Sequence, residues 1–202
     1  MEEIGIYGGT FNPIHLGHLH LAEEMQQALH FDRLLLIPAN TPPHKRPVDL
    51  ASGRHRLEMV RLAAEGLENA FVSDIELQAE GKSYTWDTVQ KLRYLMPDSR
   101  FTLIMGADML LSFDQWHKWR ELLGQVKIAA AARDAGEEQA MPQKAAALSP
   151  DGRITVLKTT PLPMSSTQIR EMIRRGEDPS VFLPPAVWRY IQRYKLYSLN
   201  FE

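Results

Sequence analysis

Gly8-Gly9-Thr10-Phe11-Asn12-Pro13-Ile14-His15-Leu16-Gly17-His18-Leu19-His20 is the stretch on which the reading of this chain turns. It follows a short apolar run, Ile4-Gly5-Ile6-Tyr7, and leads into Leu16, Leu19, Ala22, Met25 and Leu29, which share one helical face. Strand, glycine turn and helix start therefore follow one another, the arrangement that presents free backbone N–H groups to a phosphate. The two glycines allow close backbone approach, and His15 and His18 add side-chain donors beside the same anion. A nucleotide site is the leading expectation.

Outward from this block, apolar runs alternate with helical patterns. Strands are expected at Glu3–Tyr7, Arg33–Ile37, Ala70–Ile75, Arg100–Met105, Val126–Ala131 and Ile154–Leu157. Helices are expected at Leu16–Leu29, Gly53–Glu68, Thr85–Leu95, Ser165–Arg174 and Pro185–Tyr194. The near-continuous apolar strands and the alternation predict an α/β fold, a doubly wound, Rossmann-like parallel sheet in one domain over 1–202. Residues 165–202 form its small helical C-terminal part. In such sheets ligands bind beyond the carboxyl ends of the strands. Gly8-Gly9, Ala39-Asn40 and Gly106-Ala107-Asp108 lie at those ends. Asn40–Ser52 carries three prolines and reads as irregular. Asp134–Arg153, punctuated by Gly and Pro, reads as a mobile surface insertion with at most one short helix.

Bulk properties narrow the function classes. The chain has 202 residues, 44% hydrophobic and 24% charged, which suits one globular domain rather than a disordered one. A net charge of −2 offers no global attraction to nucleic acid or to an anionic membrane, so any anion site is local. With no cysteine, disulfides, thiolate metal sites and cysteine nucleophiles are excluded. No apolar run reaches the roughly 20 residues of a spanning helix, and Met1-Glu2-Glu3 does not open a signal peptide. A cytoplasmic protein is expected, and a homo-oligomer is compatible with the sequence.

His15-Leu16-Gly17-His18 resembles the HxGH element of the adenylyltransferases related to class I aminoacyl-tRNA synthetases. The longer block from Gly8 to His18 is similar to bacterial nicotinate-nucleotide adenylyltransferases in particular, a family that more often has Asp where this chain has Asn12. Further blocks follow in the family's order: Pro42-Pro43-His44-Lys45, Ser83-Tyr84-Thr85-Trp86-Asp87-Thr88, Gly106-Ala107-Asp108 with Trp116 and Trp119, and Ser165-Ser166-Thr167-Gln168-Ile169-Arg170 with Met164 at an Ile position. The resemblance implies adenylyl transfer from ATP to nicotinate mononucleotide, with Mg²⁺ carried mainly on the ATP phosphates and no metal site of the protein's own.

It also implies roles. His15, His18, Lys45 and Arg170 would stabilise charge at the reacting phosphates. Gly8, Gly9, Thr10, Phe11, Ser165, Ser166 and Thr167 would join His15, His18 and Arg170 around ATP. Asn40, His44, Lys45, Tyr84, Thr85, Asp108 and Trp116 would meet the second substrate, Thr85 at the nicotinate carboxylate and Trp116 stacked on the pyridine. Arg46 and Arg133 are not assigned. Several of these residues also have plainer readings. Ser165 with Gln168 makes a capping box, Thr85 and Asp108 suit helix N-caps, and paired tryptophans are commonly core. Other functions compatible with parts of the pattern are transfer to nicotinamide mononucleotide or to both nucleotides, a pantetheine-phosphate or glycerol-phosphate nucleotidyltransferase, and a non-catalytic nucleotide sensor.

Overall fold

The computed structural model describes residues 1–40, 50–79, 83–160 and 162–198. Six strands form one sheet: β1 (Glu2–Gly9), β2 (Arg33–Pro38), β3 (Ala70–Val72), β4 (Ser99–Gly106), β5 (Lys127–Ala132) and β6 (Ile154–Lys158). Their order is β3-β2-β1-β4-β5-β6 and every pairing is parallel. Helices α1 (Leu16–Leu29), α2 (Gly53–Ala64), α3 (Thr85–Leu95), α4 (Ala107–Leu111), α5 (Trp119–Gln125), α6 (Ala135–Leu148), α7 (Ser166–Arg174) and α8 (Pro185–Arg193) complete the chain.

Period-two alternation sorts the apolar strand residues into two layers. Ile4, Ile6, Leu35, Ile37, Phe101, Leu103, Met105, Ile128 and Ala130 pack toward the face carrying α3 to α6. Tyr7, Leu34, Leu36, Ile104, Ala129 and Ala131 pack toward α1, α2, α7 and α8. Burial on both faces is why these strands carry so few polar residues.

Three expectations change. The strand at 70–75 ends at Val72, and the helix at 53–68 ends at Ala64. Residues 134–153 are no surface insertion. They hold α6, fourteen residues long, capped by Asp134 through the Glu137 amide (2.9 Å) and anchored by buried Met141 and Ala145. Pro142 inside that helix and Gly136 near its start hide it from propensity.

Among the described residues, no helix is long and apolar enough to cross a membrane. The feature that positions chemistry is the point where strand order reverses, between β1 and β4. Pairing of β1 with β4 stops at Tyr7↔Ile104, whereas pairing with β2 continues to Gly9↔Pro38. Gly8 and Gly9 have therefore lost one neighbour strand, and a crevice opens beside them, as at the switch point of doubly wound sheets.

Candidate active site

Three adjoining cavities, about 650, 330 and 210 Å³, run along this crevice. The largest lies between the N-termini of α1 and α7 and is lined by His15, His18, Asp108, Arg133, Ser165–Thr167 and Arg170, among others. The middle one passes over Gly8, Gly9 and Thr10. The smallest is mostly apolar, walled by Ile37, Val89, Leu103 and half-buried Trp116, with Asn40, Ser83 and Thr85 among its polar groups.

Gly9 has a steric reason to be glycine: a Cβ there would sit 2.8 Å from the Phe11 ring. Phe11 adopts φ +46°, a left-handed conformation costly for a bulky residue. Its ring, 1% exposed, packs edge-on to Tyr7 (5.6 Å) and His18 (5.2 Å), which holds that turn in place. Phe11 is thus an anchor beneath the loop, and only its backbone is placed for a nucleotide. Asn12 is buried, and its Oδ1 accepts from the Ala51 amide (3.0 Å) and the Tyr197 hydroxyl (2.9 Å). Both partners are donors, so the position calls for an acceptor oxygen, which Asn supplies as Asp would.

The two histidines correct the expectation of free amides at the start of α1. His15 is the N-cap, and its Nδ1 accepts from the Gly17 amide (3.1 Å). His18 Nδ1 accepts from the His15 amide (3.2 Å), closing a reciprocal capping box normally built by Ser or Thr with Glu or Gln. The His18 amide donates to the His15 carbonyl (2.9 Å). These three backbone N–H groups are therefore spent within the turn. With each Nδ1 accepting, each neutral ring carries its proton on Nε2. The rings lie 3.8 Å apart, and both residues line the largest cavity.

Burial lowers the His15 pKa from its usual 6.5 to about 4, keeping the ring neutral near pH 7. Below pH 6.5 the unfolded chain takes up a proton that folded His15 refuses, so stability falls with pH until about pH 4. The expected contribution is a loss of about 2 kcal/mol between pH 7 and pH 5. Urea unfolding at both pH values should show it, and His15→Asn, which retains a capping side chain, should flatten the slope. An unchanged slope in that variant would exclude His15 as its source.

Across the crevice, α7 begins with the expected capping box: Ser165 Oγ accepts from the Gln168 amide (3.2 Å), and Gln168 Oε1 accepts from the Ser165 amide (2.9 Å). Ser166 Oγ donates to the Pro13 carbonyl (2.9 Å), and Thr167 Oγ1 accepts from Arg170 Nη2 (3.3 Å). These hydroxyls hold the turn together. The groups left for an anion are the Ser166 and Thr167 amides, which precede the helical ladder. Arg170 Nη1 donates to the Asn12 carbonyl (2.8 Å), fastening α7 to the glycine loop.

At the far end, α3 is capped by Tyr84 without a side-chain bond, so Thr85 is its first helical residue and not the cap. The Tyr84 ring faces His117 (4.5 Å) and is 42% exposed, outside the apolar cavity whose lining includes Ser83 and Thr85. Asn40 Nδ2 donates to the Ala79 carbonyl (2.8 Å). Asp108 is not the cap of α4, a place taken by Gly106, and it lines the two larger crevice cavities rather than the apolar one. Trp119 packs edge-on against Phe113 (6.2 Å) as a core residue. His44 and Lys45 lie outside the described residues.

Two lining residues had no role from the sequence. Arg133 follows the last residue of β5, and a Cβ on Gly106 would sit 2.8 Å from its Nη2. Its place beyond a strand's carboxyl end was the available signal. Glu76 brings a carboxylate to the apolar cavity, accepting from Ser83 Oγ and Thr88 Oγ1, both at 2.9 Å. Nothing local in the sequence marks it.

The cytidylyltransferase-like family profile matches residues 6–172. A protein of Oceanobacillus iheyensis named "Probable nicotinate-nucleotide adenylyltransferase" is 37% identical over 200 residues, 99% of each chain. One of the same name from Shouchella clausii is 38% identical over the full length of both. The fold is shared with the Plasmodium falciparum nicotinic acid mononucleotide adenylyltransferase complexed with NaAD, at TM-score 0.77, 19% identity and 98% coverage of both chains.

Proposed function

Because the chain belongs to the nicotinate-nucleotide adenylyltransferase family, and is therefore a nucleotidyltransferase, we propose that it transfers the adenylyl group of ATP to nicotinate mononucleotide. The products are nicotinate adenine dinucleotide and pyrophosphate, in the synthesis of NAD. The observation that carries this reading is the crevice itself, with two unlike ends joined over Gly8 and Gly9. One end has two helix N-termini, two imidazoles and two guanidinium groups; the other is apolar and walled by an indole.

The nucleophile is the 5′-phosphate of the mononucleotide. Its oxygen bonds to the α-phosphorus of ATP as the bond to the β-phosphate oxygen breaks, and pyrophosphate leaves. No protein nucleophile is needed. His15 and His18 Nε2–H, the Ser166 and Thr167 amides and Arg170 would donate to oxygens whose charge grows during transfer. Lys45 would add a point charge. Alignment of two polyanions in one crevice can account for about 7–11 kcal/mol of the barrier.

Mg²⁺ fits this arrangement as an ion brought in on ATP. Asp108 offers a carboxylate to both larger cavities, a single hard oxygen donor for such an ion. Such a donor set suits Mg²⁺ held mainly by phosphates and water, with Asp108 as its protein contact. Bound there, the ion would neutralise phosphate charge.

Selectivity for the acid would come from the first amides of α3 at Thr85, where a helix N-terminus favours a carboxylate over a neutral amide. Glu76 is a carboxylate at the same cavity, its oxygens accepting from Ser83 and Thr88, and the Thr85 amides would have to outweigh it. Pyrophosphate release from ATP and Mg²⁺ is expected to be about tenfold or more faster, as kcat/KM, with nicotinate than with nicotinamide mononucleotide. Equal rates would retain the transfer and reject the Thr85 explanation. Silence with both, alongside ATP binding, would reject the reaction.

A further inference from the structure

Arg56 is 2% exposed, one of the largest fully buried side chains in the protein. Among the described residues no carboxylate forms an ion pair with it. Its guanidinium meets three backbone carbonyls instead: Nε donates to Ala51 (3.1 Å), and Nη1 donates to Thr10 (2.9 Å) and Ala39 (2.7 Å).

Two of these carbonyls belong to segments that line the crevice, and the third, Ala51, belongs to the segment leading into α2. Thr10 directly follows Gly8-Gly9, Ala39 directly follows β2, and Ala51 precedes the Ser52 cap of α2. Further bonds cross-link the same points. The Ala39 amide donates to the Gly9 carbonyl (2.8 Å), and the Ala51 amide donates to Asn12 Oδ1 (3.0 Å). A planar fork can satisfy acceptors that lie in several directions around it. A lysine ammonium, a single point at the end of its stem, cannot occupy both the Nε and the Nη1 positions.

We infer that Arg56 is a positioning residue for adenylyl transfer, holding the Gly8–Thr10 backbone in register with the chain that enters and leaves residues 40–50. The inference rests on the reaction proposed above. It places the decisive bonds on backbone carbonyls behind the glycine loop, from where the guanidinium acts through the chain it holds. Displacing that loop by about 1 Å is enough to cost about a hundredfold in rate.

Arg56→Lys keeps the charge and most of the volume. Its kcat with ATP and nicotinate mononucleotide is expected to fall about a hundredfold, with a much smaller change in either KM. The second readout is the rate ratio between the two diastereomers of ATP carrying sulfur on the α-phosphate. That ratio does not depend on how much enzyme is folded, so a loss of folded protein alone leaves it unchanged, whereas misalignment at the α-phosphorus shifts it. Should the lysine variant not fold, Arg56→Gln, neutral and still a donor, takes its place. Parent kcat in the variant, or a loss of kcat with an unchanged diastereomer ratio, overturns the inference while the parent's own turnover leaves the reaction standing. Failure of both variants to fold would make Arg56 a folding residue and overturn it equally. A parent enzyme silent toward the mononucleotide overturns reaction and inference together.

Discussion

His18→Ala is expected to lower kcat by about a hundred- to a thousandfold while KM for ATP changes by a small factor. Oxygens at the α-phosphate gain charge on the way to the five-coordinate transition state, so a donor aimed at them contributes more there than in the bound ground state. In the proposed reaction His18 would serve as that donor. Its Nδ1 is fixed by the His15 amide, and its ring is braced edge-on by Phe11. Alanine also removes half of the reciprocal cap, which would cost about 1 kcal/mol of stability. His18→Gln separates the two effects, because glutamine at this third helical position can accept from the N-cap amide. It should recover the stability and leave most of the rate loss in place. Steady-state kinetics with urea unfolding on both variants checks this. A near-parent kcat in His18→Ala would remove charge stabilisation from its role.

How much of this site could be read beforehand depended on whether each interaction has a local signature. Gly8-Gly9 followed by the periodicity of Leu19, Ala22 and Met25 announces strand, turn and helix, and the all-parallel sheet follows from the alternation. The Ser165–Gln168 box at the start of α7 is just as legible, because capping residues act within one turn. The histidine box is the same device over four positions, yet imidazole rings rarely fill it, and the glycine context favoured phosphate contact over ordinary turn histidines or metal ligands. Local signals also misled. Gly136 and Pro142 concealed α6, whose stability comes from Met141 and Ala145 in the core, not from propensity.

Contacts across long sequence separations left no trace at all. Tyr197 reaches Asn12 across 185 positions, and burial pushes its phenol pKa up, so it stays protonated and donates. Arg56 addresses carbonyl oxygens, which every residue has. Neither could be inferred from residue types.

Arg170→Ala is expected to have an effect of similar size with a different kinetic signature, lowering kcat/KM for ATP by about a hundredfold or more through both parameters. The side chain sits where two helix N-termini meet one cavity, and it does two things there. The residue lines the largest of the three crevice cavities, and its Nη1 bond to the Asn12 carbonyl ties α7 to the loop holding Gly8 and Gly9 across 158 positions. Loss of the charge weakens the ground-state grip on a polyanion, which raises KM. Loss of the tie lets α7 drift, taking the Ser166 and Thr167 amides with it, and that lowers kcat. Arg170→Lys restores charge but cannot present one N–H to a carbonyl and another to Thr167 Oγ1 in the same fixed plane. It should therefore recover KM more fully than kcat. Recovery of both by lysine would mean that charge alone matters, and that α7 is held at the loop by Ser166 and its bond to Pro13 without help from the guanidinium.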